Sequence, residues 1–273
     1  MTDSTISTPV TVRAAKAESK PRAGVFWPRL ITGLAIAAVW EVVVRSFAPA
    51  YVAKPTTIIM AIPRVLTDPQ FLSATGQTLA AVAEGLAVTL VFGTVIGLLM
   101  GRSLLFDRTI RHYINGFNAM PMIIALPLFS LWFGYSSAAR FATIIFAAIF
   151  AIIMNVADGA RAVPREYIEV ARSFRSGRTR ALIEVVLPAA MPYLLAGFRL
   201  AAGRALIGAV VAEFFLSVGG VGYYILFNSR TYHHNEAFVG VLLLAGFGVG
   251  FELLIAWCTR RFLPWYRRDE KTN

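Results

Sequence analysis

The chain has 273 residues, 57% of them hydrophobic and 15% charged, with a formal net charge of +11 at pH 7. A mean hydropathy of +0.65 exceeds what a water-soluble domain of this length can bury, which points to an integral membrane protein. The apolar runs are about 20 residues long, enough to cross about 30 Å of hydrocarbon, so an all-α polytopic fold is expected rather than a barrel.

Residues 1–24 are rich in Ser, Thr, Ala and Lys and hold no apolar core. They read as a disordered tail, not as a signal peptide, since a full-length span follows. Spans are expected at 29–47, 78–100, 113–133, 140–158, 191–216 and 237–259. Pro121 and Pro127 interrupt the third, a break that membrane helices tolerate when neighbours re-satisfy the backbone. Between the first two spans, residues 48–77 form an external segment with Pro55, Pro63 and Pro69 as breakers and a short amphipathic helix over 56–66. Gly93, Gly97 and Gly101 recur every four residues, which puts them on one face and lets another helix approach closely. Gly246 and Gly250 repeat the spacing, with the same packing expected. Residues 217–236 read as an external Gly-rich loop.

Nineteen of the 26 Lys and Arg fall on one side: up to and including Arg29, at Arg102, Arg108 and Arg111, from Arg161 through Arg180, and from Arg260 onward. Lys and Arg resist translocation, so that side, with both termini, is cytoplasmic. The positive charge is then topology. It calls for no nucleic acid, because no soluble basic domain exists to carry one.

Ionisable groups inside spans are expensive and so are functional candidates. Glu41 and Arg45, four residues apart, can pair on one helix face. Glu84 is expected near the outer interface, and Arg199 as an anchor near the cytoplasmic end of the fifth span. Arg204 lies deeper and is a candidate pore residue, offering positive potential to an anionic solute or entering an internal ion pair. Glu213, near the outer end, is a second candidate, as a gate or a helix-packing contact. Glu252 has no evident partner. His233, His234, Asn235 and Glu236 read as a solvated loop, because adjacent histidines point apart and nothing completes a metal site. Cys258 is the one cysteine, so no disulfide framework exists. No nucleophile elbow, paired carboxylates or Gly-x4-Gly-Lys-Ser/Thr segment is present, so neither an enzyme nor a nucleotide or other cofactor site is expected.

The most informative polar stretch is Arg161 to Pro188, with six arginines at 161, 165, 172, 175, 178 and 180. Glu169-Val170-Ala171 is followed at fixed distance by Val185, Leu187 and Pro188. This resembles the EAA loop of binding-protein-dependent ABC importer permeases: Glu-Ala-Ala, three residues, Gly, nine residues, an aliphatic, any residue, Leu and Pro. Val170 is a mild departure. Arg175 occupies the Gly position, with Gly177 two residues on, and Arg takes positive φ only at a cost. Pro121, Pro127, Leu131-Trp132-Phe133-Gly134, Gly197-Phe198-Arg199 and the run Gly208 to Phe214 are similar to the nitrate/sulfonate/taurine branch.

The resemblance implies a six-span type I permease domain over residues 25–268, with cytoplasmic tails at 1–24 and 269–273 and a coupling loop over 159–190. It implies a bacterial inner membrane, a separate cytoplasmic ATP-binding subunit and a periplasmic or lipid-anchored solute-binding protein. A second permease copy would complete the pore, and the cargo would be a small, sulfonate-, taurine- or nitrate-like solute. Glu169, Ala171, Arg172, Arg175, Gly177, Leu187 and Pro188 would form the loop that docks on the ATPase. Physically, Ile168, Phe174, Leu182 and Ile183 would supply a hydrophobic ridge, and Glu169 a local cap or a pair with Arg172. The competing reading, a self-contained secondary carrier, needs a coupling-ion site for which Glu41, Glu213 and Glu252 are the carboxylates available.

Overall fold

The computed structural model describes residues 26–47, 49 and 52–262, all of whose regular structure is helical. The two expected tails lie outside the described residues. The chain forms two units, Met1–Pro49 and Ala50–Asn273. The first contributes α1 (Phe26–Phe47), where the expected Arg45–Glu41 ion pair closes at 2.5 Å.

The second unit runs α2 (Pro55–Leu66), α3 (Pro69–Arg102), α4 (Leu104–Ala119), α5 (Met122–Phe133), α6 (Ser137–Ala162), α7 (Arg165–Ser173), α8 (Arg178–Ala181), a π-helical turn (Leu182–Val186), α9 (Leu187–Leu216), α10 (Val221–Arg230) and α11 (His234–Phe262). Across both units, five helices among the described residues are long and apolar enough to span a membrane; α4 and α5, bent by 100° at a short break, make a sixth where the pair is one broken span and not a re-entrant loop. The break falls at Pro121, which has no N–H to continue a helix. Residues 113–133 are therefore not one straight span.

Other boundaries move for local reasons. α3 starts nine residues before the expected 78, because the Asp68 carboxylate accepts from Gln70 N at 2.9 Å and Pro69 opens the first turn. Residues 217–236 are not a plain loop: they contain the ten-residue α10.

α6 is the centre of the second unit, packed between α3 and α9 around Val82, Ile144, Ala148, Ile152, Val156, Ala205 and Ala209. The glycine face of α3 makes this approach close. An added Cβ at Gly97 would lie 2.8 Å from Ile153 O and from Val156 Cβ, and one at Gly93 2.9 Å from Ile152 Cγ2. Gly246 and Gly250 differ from the expectation: nothing lies within 4 Å of their added Cβ positions, so they pack no described neighbour. A second cluster joins Ile58 and Val65 of α2 to Phe71, Val221, Tyr224 and Val239. There the Tyr224 hydroxyl donates to Asp68 at 3.2 Å, and burial pushes its pKa up to about 12.

Candidate coupling loop and intramembrane polar sites

The Arg-rich loop folds as a short helix with a defined stop. α7 ends with Arg175 N–H donating to Arg172 O at 2.8 Å and Ser176 N–H to Ala171 O at 3.0 Å. With Arg175 at φ +54°, this is a Schellman end, whose left-handed position favours glycine. The Gly position of the loop pattern thus keeps its backbone conformation although Arg fills it. Gly177 does not relieve it, since it is not among the positive-φ glycines; its carbonyl instead accepts from Ala181 N at 3.0 Å.

The Leu187-Pro188 pair has an equally local effect. Pro188 has no N–H and its ring crowds the carbonyl four residues back. The chain widens just before it into the π turn, with Leu187 N donating to Leu182 O. Val186 is buried there, and Leu182, Val185 and Leu187 pack with Ile168 on the main core.

This corrects the expected ridge. Ile168 is 8% exposed and is the anchor of α7, whereas Tyr167 (58%), Val170 (55%), Phe174 (83%) and Ile183 (57%) face outward. Beside them a groove of about 540 Å3 runs between α7 and α8, past Ala171, Arg175, Arg180 and Glu184. Glu169 pairs with no cation within 4.0 Å among the described residues, Arg172 included. The local pair that does form is Arg180–Glu184, at 2.9 Å.

Upstream of α7, a cluster not singled out in the sequence ties α4 to α6. Asp107 accepts from Arg111 at 2.6 Å and from Arg161 at 3.0 Å. Arg161 lies four residues before α7 begins. At the other end of α4, Asn118 Oδ1 accepts from Arg204 Nη1 at 2.7 Å. One helix of 16 residues therefore links the loop's root to the middle of α9.

Arg204 is exposed, on the wall of a cavity of about 210 Å3 shared with Asn118, Phe117, Phe146, Phe150, Met120 and Met122. Arg199, one and a half turns earlier, is also exposed and makes no hydrogen bond or ion pair among the described residues. Glu84 and Glu252 are exposed as well.

Glu213 is the opposite case, fully buried at 0% exposure. One carboxylate oxygen accepts from Thr78 Oγ1 at 2.8 Å and Arg140 Nη1 at 3.3 Å, the other from Gly222 N at 2.8 Å. Thr78 Oγ1 in turn accepts from Val221 N at 2.8 Å, and Arg140 donates to Gly219 O at 2.5 Å. The carboxylate thereby satisfies the Gly222 N–H, and Thr78 that of Val221, at the N-terminus of α10, where a helix favours negative charge. Gly220, at φ +152°, allows the approach, because a Cβ there would collide with the Glu213 carboxylate. The sequence offered Glu213 alone. Arg140, Thr78 and the α10 N-terminus come to it from three other elements. His233 and His234 form no metal cluster among the described residues. Instead, Asn235 accepts from Thr57 at 2.9 Å, and Glu236 faces Arg64 at 3.6 Å.

Residues 93–268 match the family model of the binding-protein-dependent transport system inner membrane component. A Bacillus subtilis relative assigned to aliphatic sulfonates transport, the permease protein SsuC, is 28% identical over 86% of this chain and 86% of its own. The formylaminopyrimidine transport permease protein ThiX of Halalkalibacterium halodurans is 26% identical over 86% of this chain and 94% of its own. The taurine transport system permease protein TauC of Escherichia coli is 25% identical over 83% and 85%. Among solved structures, the inward-facing MetNI methionine ABC transporter superposes with a TM-score of 0.58 at 18% identity, over 71% of this chain and 99% of that one. These matches favour an importer component over a self-contained carrier. The chain belongs to the binding-protein-dependent transport system inner membrane component family, the membrane-spanning permeases of ABC importers.

Proposed function

We propose that this permease couples to a separate cytoplasmic ATPase through residues 159–190, with α7 as the docking helix. The observation that carries the reading is the arrangement of α7. A single buried side chain, Ile168, anchors it, while Tyr167, Val170 and Phe174 stand exposed beside Arg172 and Arg175. An apolar patch rimmed by cations suits a soluble partner with a hydrophobic cleft and acidic edges. Closure of paired ATPases on ATP binding would draw two such helices together and, through α6 and α9, turn the spans outward; hydrolysis would reset them.

Two copies of the chain, most simply a homodimer in lipid, line the path, with both termini in the cytoplasm. A periplasmic or lipid-anchored binding protein delivers the cargo. That cargo is a small solute of the sulfonate, taurine or nitrate type, by likeness to the relatives and by the positive charge of Arg204. Glu213 serves as a packing node, not as a pore group.

The test is affinity capture of the full chain from membranes in mild detergent, comparing wild type with Phe174→Asp and Glu169→Lys. A P-loop ATPase recovered with wild type and lost with Phe174→Asp, at equal membrane insertion, is the expected result. Equal recovery with all three would overturn the docking role of α7.

A further inference from the structure

We infer that the α4–α5 break and the middle of α9 form a lodging site for a small organic oxyanion with a compact apolar tail. The inference deepens the importer reading and rests on it, since a transport component is what needs a solute within its spans.

Arg204 carries an uncompensated charge. It lies near the midpoint of the 30-residue α9, where an ionised side chain is expensive unless paired or wetted. Two other arginines within spans show what pairing looks like: Arg45 meets Glu41 at 2.5 Å and Arg140 meets Glu213 at 3.3 Å, whereas Arg199, exposed nearer the start of α9, has no ion pair among the described residues. Arg204 meets no carboxylate within 4.0 Å among the described residues. Its hydrogen-bond partner is a neutral amide, Asn118 Oδ1 at 2.7 Å.

That bond fixes what the site offers. Asn118 uses its oxygen on Arg204, which leaves its NH2 group to donate, and no described residue accepts from it. The remaining N–H groups of Arg204 form a fork suited to the paired oxygens of a carboxylate or sulfonate. The polar side chains of the cavity thus present donors. Met122 opens α5 and also lines the cavity, so the positive end of that helix adds to the same potential.

The remaining walls decide the class of anion. Phe146 and Phe150 meet edge to face at 5.2 Å, and Phe117 stacks on Phe150 at 6.2 Å. Together with Met120 and Ile207 they offer contact surface and no hydrogen bonds. An inorganic anion such as nitrate would lose hydration against these walls without replacement. An oxyanion with a short hydrocarbon tail fills both halves. The volume of about 210 Å3 is below the roughly 300–1,000 Å3 of sites for drug-sized ligands, which limits the tail to a few carbons.

The experiment is equilibrium binding of radiolabelled sodium ethanesulfonate to the purified full chain in lipid nanodiscs, with no ATPase or binding protein added. Wild type should bind saturably, and Arg204→Gln should weaken binding at least about tenfold, the effect of losing a charge-assisted hydrogen bond. Arg204→Lys, which keeps charge without the fork, should fall between them, and Arg199→Gln should match wild type. Sodium nitrate should compete poorly. Absence of saturable binding to wild type, or equal affinity in Arg204→Gln, would overturn the site, and nitrate competing as well as ethanesulfonate would overturn the organic tail. ATPase capture by the wild-type chain from membranes in mild detergent separates the two failures. Captured ATPase without ethanesulfonate binding sinks this site alone, whereas absence of the ATPase sinks the importer reading.

Discussion

Glu213 and Arg204 lie on the same helix nine residues apart, about 14 Å along its axis, and their surroundings are opposed. Glu213 is sealed among three donors from three other elements, while Arg204 stands at a cavity with one neutral partner. An ionisable residue in a span is therefore not by itself a sign of transport chemistry. What separates scaffold from site is whether the protein has already supplied the counter-charge.

The largest effect is expected at Glu213. Glu213→Ala leaves Arg140 charged and unpaired in the interior and frees the Gly222 N–H in the first turn of α10. A loss of about 3–5 kcal/mol is expected, seen as a large drop in folded yield and in the thermal midpoint of the detergent-solubilised protein. A midpoint equal to wild type would remove Glu213 from the scaffold. Gly220→Ala attacks the same node from its other side, through a collision with the carboxylate and a disfavoured φ. About 1–3 kcal/mol should be lost, and a smaller effect would mean that the turn relaxes freely.

Arg204→Gln sharpens the contrast by doing little to the fold. Its side chain is exposed and its one bond is replaceable, so stability should stay within about 0.5 kcal/mol of wild type. A loss comparable with that of Glu213→Ala would turn Arg204 into a second packing node. The smallest effect has the opposite sign. Arg175→Gly should stabilise the end of α7 by up to about 1 kcal/mol, because the left-handed position then suits its residue. Hydrogen exchange at the Ser176 amide, which closes the turn on Ala171, should slow, and an unchanged rate would argue against the Schellman end.

Much of this arrangement was legible in the sequence, and the rest was hidden for physical reasons. The glycine face of α3 could be read because a four-residue repeat is a local signal, and its partner helix needs only to be smooth. The same repeat misled at Gly246 and Gly250, since spacing declares a face without saying what covers it. Pro121 announced an interruption but not a 100° bend, which depends on what packs either side. α10 was missed because Gly219, Gly220 and Gly222 read as a connection. Its apolar Tyr224, Ile225 and Leu226 were available as a helical signal, but the cap that starts it comes from Glu213 and Thr78, the latter 143 residues away from Val221. The exposed Tyr167 and the buried Ile168 are adjacent in sequence, and only the direction of α7 against the core decides between them.

The widened turn at Leu182–Val186 has a mechanical meaning. A π turn stores one residue more than an α turn, as a coil of rope holds slack. Taking up that slack would rotate everything beyond it by about 100°, the angle of one helical residue. The helix beyond it is α9, which carries both Arg204 and Glu213. A torque applied at the loop would meet this turn before the rest of α9, and re-registering it would exchange the bond from Leu187 N to Leu182 O for an ordinary α-helical one.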